Sequence, residues 1–159
     1  MKVCLENKQK DLKIYRRPLQ DLVEVVLSLH DLQPDFVYIS LVTAKAMREI
    51  HSEHFNDPTD TDCMSFPIDP EGIHHPHVFG QIVVCPKTAI LYSQCHQTDA
   101  YDELALYIVH GLLHCLGYDD IDPKDRREMR KEEARMMKAI QSRGIRLDTP
   151  QTCSPSDQP

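Results

Sequence analysis

Apolar positions along the chain recur with two periods, and these set the expected elements. Residues 3–5 form a short opening run of strand length. Leu19, Leu22, Val23, Val26 and Leu29 then return every three or four residues, which predicts a helix from about Pro18. Proline suits the first helical turn, where its missing N–H has no partner to lose. Residues 36–42 are β-branched and aromatic and predict a strand. Thr43 is placed to cap a second helix, on which Met47, Ile50, His51 and His54 share one face and are expected to pack on the sheet. Residues 63–66 and 81–85 are the next strand candidates. Between them Pro67, Pro70, Gly72, Pro76 and Gly80 predict an irregular loop.

Asp99 is placed to cap a further helix, with Asp102 and Glu103 near its positive end. Leu104, Ile108, Leu112 and Cys115 mark its buried face, while Tyr107, His110 and His114 share another. A last helix is predicted from about residue 123 to 143, where balanced acidic and basic side chains suit an exposed, ion-paired face. Residues 148–159, rich in Pro, Ser and Thr, are expected to be a disordered tail. That leaves residues 1–147 as a single domain. Helices and strands mixed without regular βαβ alternation predict an α+β fold, a small sheet with helices packed on it.

Composition narrows the class. A chain of 159 residues can bury a real core, and no apolar run approaches the roughly 20 residues that span a membrane. The N-terminus lacks the layout of a signal peptide. Cys4, Cys63, Cys85, Cys95, Cys115 and Cys153 form no C-x-x-C pair and read as reduced thiols of a cytoplasmic protein. A net charge of −7 argues against a generic nucleic-acid binder. Its distribution is uneven. Lys2, Lys8, Lys10, Lys13, Arg16 and Arg17 face only Glu6 and Asp11 near the N-terminus, whereas residues 21–120 carry just Lys45, Arg48 and Lys87. A phosphate-bearing substrate would need the N-terminal cluster, the late arginines or a metal ion. The cluster could equally be a solvated surface.

The chemistry concentrates in His110-Gly111-Leu112-Leu113-His114-Cys115-Leu116-Gly117-Tyr118-Asp119-Asp120. Histidines four apart lie on one helix face, within reach of a single ion. Gly117 offers a helix stop, after which Asp120 can swing back as a third ligand. Three protein ligands with an open fourth position suit a catalytic zinc site. Two ordinary, hydrogen-bonded core histidines are the competing reading. The spacing is close to that of zincin-type proteases, but the Glu that serves them as general base is Gly111 here. Asp62 or Asp119 could accept a proton or hold a ligand histidine. Asp62, near a strand start, could also be a structural acceptor, and Ser65 a substrate donor or a sheet bond. Gly111 either leaves room beside the metal or lets the helix pack closely. His74, His75 and His77 are a weaker metal candidate in an exposed loop, and His51 is near enough in sequence to line the cleft.

Two segments together resemble the YbeY family of metal-dependent endoribonucleases. They are the histidine helix just quoted and Thr61-Asp62-Cys63-Met64-Ser65-Phe66-Pro67, with a weaker match at Gly80-Gln81-Ile82-Val83-Val84. The likeness spans roughly residues 35–140 and implies a mostly four-stranded mixed sheet with several helices. It also implies one zinc ion, or another divalent transition metal, on the helix carrying His110 and His114, beneath a substrate cleft. The implied partners are single-stranded or ribosomal RNA and the small ribosomal subunit or its assembly proteins, with neither membrane nor DNA. The chain departs from the family pattern in three places. Asp120 stands where the family has a third His, the stretch 55–60 has no arginine, and Gln81 replaces an Asp. An anionic ligand acidifies a coordinated water less than a third neutral imidazole would, and favours harder ions.

The leading expectation is a single-strand-specific endoribonuclease of small-subunit ribosomal RNA maturation and ribosome quality control. Its site would comprise His110, His114 and Asp120 as ligands and Asp62 as a catalytic carboxylate. The alternatives are a non-catalytic ribosome-assembly factor with a structural metal and, disfavoured by Gly111, a zincin-like metallopeptidase.

Overall fold

The hydrophobic pattern resolves into four strands and five helices in the computed structural model, which describes residues 1–56 and 61–150. In chain order they are β1 (Lys2–Asn7), α1 (Arg16–Ser28), β2 (Phe36–Leu41), α2 (Ala44–Phe55), β3 (Cys63–Pro67), β4 (Val78–Val84), α3 (Pro86–His96), α4 (Ala100–Cys115) and α5 (Pro123–Ser142). The sheet runs β1-β2-β4-β3, with β1, β2 and β4 parallel and β3 antiparallel to β4. This is the α+β class that the residue pattern predicts, with the four-stranded mixed sheet that the family resemblance implies.

Alternation along the strands assigns the two faces. Val37, Ile39 and Leu41 of β2 and Ile82 and Val84 of β4 join α1, α4 and α5 in the main core. Val83 and Met64 point the other way, onto Met47 of α2, in a smaller second core. Helix α4 is deeply set: Leu104, Ile108, Leu112 and Leu113 are fully buried. Asp99 caps it by accepting from the backbone N–H groups of Tyr101 and Asp102 at 2.9 and 3.1 Å. Thr43 caps α2 in the same way, accepting from Ala46 at 3.2 Å. The helix carrying the histidines is thus packed between the sheet and α5.

Three differences from the sequence reading have physical causes. Helix α1 begins at Arg16, ahead of Pro18, which then occupies its first turn. Strand β4 begins at Val78, inside the expected loop, and carries Gly80 opposite Pro67. A Cβ at Gly80 would lie 2.9 Å from the Phe66 carbonyl, so glycine here serves a close strand approach and not a turn. Helix α3 is not predicted by the apolar period, because its buried positions include the small Ala89 and Ser93 while Leu91 and Tyr92 are exposed.

The five described cysteines are free thiols, and no helix is long and apolar enough to cross a membrane among the described residues. Asp148, the first residue of the expected tail, accepts from Arg146 at 3.0 and 3.1 Å, and residues 151–159 lie outside the described residues. So do residues 57–60, most of the stretch that lacks an arginine.

Candidate metal centre

Helix α4 ends in a turn that folds the chain back over its own histidines. Gly117, at φ +97°, takes the left-handed conformation, and the N–H of Tyr118 bonds the Leu113 carbonyl while that of Gly117 bonds His114. This paired pattern is the Schellman closure, which satisfies carbonyls the helix would otherwise leave open. It also carries the Tyr118 carbonyl back to His114 Nδ1, 3.0 Å away. Asp119 then accepts from the backbone N–H groups of Asp120 and Ile121, at 2.7 and 3.3 Å, and turns the chain again. Arg126 of α5 donates to the carbonyls of Asp120 and Ile121 at 2.9 and 3.2 Å. The short segment bearing Asp120 is therefore held from both sides.

The result is a convergence of three side chains. His110 Nε2 and His114 Nε2 lie 2.9 Å apart, and the Asp120 carboxylate is 3.7 Å from the first and 3.8 Å from the second. Hydrogen bonding fixes which nitrogens carry protons. A carbonyl only accepts, so His114 Nδ1 bears the hydrogen directed at Tyr118. His110 Nδ1 likewise donates to Glu133 of α5 at 2.6 Å. In the neutral rings both Nε2 lone pairs then point at one place. Two lone pairs at this distance repel unless a proton or a cation lies between them. Ligand bonds of about 2.0–2.1 Å in a tetrahedral site put ligand atoms roughly 3.3 Å apart, and the observed separations bracket that value. The donor set fits one divalent ion, and no other group of three such side chains gathers this closely among the described residues.

Electrostatics follow the same geometry. Burial of the His110 ring works against its charging. The hydrogen bond and charge of Glu133, with Asp62 and Asp120 nearby, outweigh it and raise the pKa above the ordinary histidine value. Burial also pushes the neighbouring thiols up, Cys115 to about 12, so both Cys115 and Cys63 stay protonated.

Two cavities open on the triad and share Asp62, His110 and Asp120. One, about 320 Å³, lies between α4 and α5; the other, about 530 Å³, lies between β3 and the end of α2. Asp62 is thus brought to the site, with one carboxylate oxygen accepting from the Cys63 N–H at 2.7 Å. His51 lines the larger cavity, whereas His54 packs on Phe66 with ring centroids 5.0 Å apart. Asp119 bonds neither histidine: its carboxylate accepts from backbone N–H groups, and the two rings are held by other partners. Glu133 and the Tyr118 carbonyl fill that role, and neither is signalled in the sequence. Glu133 stands 23 residues from His110 among many charges.

His74, His75 and His77 are not gathered around a point. They belong to a loop wrapped on Asp69, whose carboxylate accepts from the N–H groups of Ile73 and His74 at 2.9 and 2.8 Å. The bonds from His74 and Ile73 hold that carboxyl below the usual carboxylate range. His77 donates through Nε2 to the Asp69 carbonyl at 2.8 Å.

Gly111 is a packing residue. A Cβ there would meet Ile82 Cγ2 at 2.6 Å and Cγ1 and Ser65 Oγ at 3.2 Å, on the sheet side and not in the cleft. Ser65 completes the contact by donating to the Gly111 carbonyl at 3.0 Å. Gly111→Ala should therefore lower stability by about 1–3 kcal/mol through overpacking, outweighing the gain of up to about 1 kcal/mol in helix propensity. A thermal melt reads this as a drop of several degrees; an equal or higher midpoint would contradict the packing.

Comparison with known proteins agrees with this architecture. The sequence model of the family described as Endoribonuclease YbeY matches residues 4–141. The YbeY endoribonuclease of Chlamydia felis is 43% identical over 137 residues, covering 84% of this chain and 87% of the relative. That of Protochlamydia amoebophila is 41% identical over 131 residues, covering 82% and 87%. The solution structure of a protein from Thermotoga maritima superposes with a TM-score of 0.65 at 20% identity, covering 90% of this chain and 91% of that one. This last likeness is one of fold alone.

Proposed function

The chain belongs to the YbeY endoribonuclease family, and from that premise we propose that it is a single-strand-specific, metal-dependent endoribonuclease. Its proposed place is the cytoplasm, in the maturation of small-subunit ribosomal RNA ends and in ribosome quality control, with residues 1–147 as the catalytic domain. The observation that carries the reading is the pair of Nε2 atoms 2.9 Å apart with the Asp120 carboxylate beside them, at a point open to two cavities.

In this reading His110, His114 and Asp120 hold one zinc-type ion. Such an ion supplies Lewis acidity at a phosphoryl oxygen and lowers the pKa of a coordinated water toward about 7. The remaining work belongs to the chain. Glu133 and the Tyr118 carbonyl lock both rings in the tautomer that leaves Nε2 bare. Asp62 would accept the proton released when water adds to a phosphodiester, a role supported by its position lining both cavities. Gly111 supplies no carboxylate, so the site lacks the proton acceptor that peptide hydrolysis uses at this position.

The test is cleavage of a labelled single-stranded RNA, a duplex of the same sequence and casein, each with zinc and with a chelator. Cleavage of the single strand alone, lost with chelator, is expected. Casein hydrolysis without RNA cleavage would favour a peptidase, and no turnover alongside binding to small subunits would favour an assembly factor. Asp120→His should move the acidic limb of the pH–rate profile to lower pH. A third neutral ligand leaves more positive charge at the site, so the water it acidifies ionises earlier. An unmoved limb would place the third ligand elsewhere.

A further inference from the structure

The triad is reached from two sides, so a polymer can pass over it with both ends outside. The acidic walls do not favour this unaided. Asp62, Asp120 and Glu133 line the smaller cavity, and a phosphate backbone entering it needs fixed cations. Two arginines supply them, Arg126 and Arg130, one helical turn apart on the face of α5 that lines this cavity. They are not equivalent. Arg126 spends Nε and Nη2 on the carbonyls of Asp120 and Ile121. Arg130 makes no hydrogen bond or ion pair with any side chain or backbone group among the described residues. Arg135, further along α5, is by contrast tied to Glu132 at 2.9 Å. The larger cavity is different in kind. Phe55 stands at its wall 56% exposed, its ring 5.1 Å from that of His51, and a large aromatic kept in water is a stacking surface for a base.

We propose that Arg130 binds a backbone phosphate of a single RNA strand that crosses the triad from the Phe55 cavity to the cavity between α4 and α5, with Arg126 acting as the positioning residue for Asp120. This rests on the endoribonuclease reading and adds the path of the substrate. A guanidinium fork matches phosphate oxygens in a bidentate way that a point charge does not. The path also gives one reason for attack within a strand: neither arm is closed by the described residues.

The experiment is binding of a labelled oligouridylate to the metal-loaded full chain across a salt series, with cleavage kinetics on the same strand. Arg130→Gln should weaken binding several-fold and reduce the slope of log affinity against log salt by about 0.7, the value for one phosphate contact on a single strand. KM should rise with kcat nearly unchanged. Arg130→Lys should restore the slope. Phe55→Ala should weaken binding roughly tenfold with the slope intact, because stacking releases no counterions. Arg127→Gln removes the same charge from an exposed position outside both cavities and should change neither quantity. A wild-type slope in Arg130→Gln, or an equal loss in Arg127→Gln, would overturn the proposal. If the wild type cleaves RNA and Arg130→Gln is indistinguishable from it, the path alone fails. If the salt slopes behave as expected but no strand is cut, the endoribonuclease reading fails and the strand site stands.

Discussion

His114→Ala should leave a folded protein that retains no ion and cleaves single-stranded RNA about a thousand-fold more slowly. The size follows from the chemistry withdrawn. Loss of Lewis-acid stabilisation at a phosphoryl oxygen costs several kcal/mol of barrier, and each 1.36 kcal/mol is a factor of ten. The specificity follows from the geometry. His114 is about 29% exposed and its ring meets solvent at the cleft, so truncation opens no core cavity. Its one protein bond through Nδ1 is to the Tyr118 carbonyl, which water can replace. Circular dichroism, and the thermal midpoint compared with metal-free wild type, should therefore stay close to wild type while bound metal is lost and turnover falls. Metal retained at the wild-type ratio would place the ligands elsewhere.

Glu133→Ala is the second large effect, and it has two parts. Without its Nδ1 partner the His110 ring turns more freely and is less basic, so metal affinity near neutral pH should fall about 10–100-fold. The pH dependence should move the other way. Glu133 raises the His110 pKa, and a protonated Nε2 cannot bind metal, so protons begin to compete with the ion, and apparent affinity to fall, at a higher pH than they would at an unperturbed histidine. Removing Glu133 lowers the value and shifts the acid edge to lower pH. In the metal-free wild type the raised His110 pKa also stabilises the fold below the unfolded histidine pKa, and this is lost as pH rises through the folded one. Glu133→Gln keeps an acceptor without the charge and should fall between. A competition titration with a chromogenic chelator at several pH values reads both parts. An unchanged acid edge in Glu133→Ala would show that the carboxylate does not govern His110.

Much of this site was legible because it is local. His110, His114, Gly117 and Asp120 lie within one helix end and its turn, where spacing alone fixes which side chains meet. The four strands were legible because their alternation or unbroken β-branched runs reflect burial on one face or both. Glu133 and Arg130 were not, since an apolar stripe on a highly charged α5 says that one face buries, but not which element it packs on or which flanking charges then meet the cleft. That face is chosen by Met129, Met136 and Ile140, which bury and carry Glu133 and Arg130 to the cleft. Gly111 shows the same division. Its lack of a carboxylate was readable, and close packing on the sheet was one of its two open readings; only the structure shows that Ile82 is the residue it meets. Helix α3 escaped because small buried residues and exposed large ones blur the apolar period.

The most direct measurement of the central claim is anomalous X-ray diffraction at the zinc edge from crystals grown with equimolar zinc. One strong peak is expected per chain, about 2.0–2.2 Å from His110 Nε2, His114 Nε2 and an Asp120 oxygen. A peak at the His74–His77 loop, or none at the triad, would contradict the account.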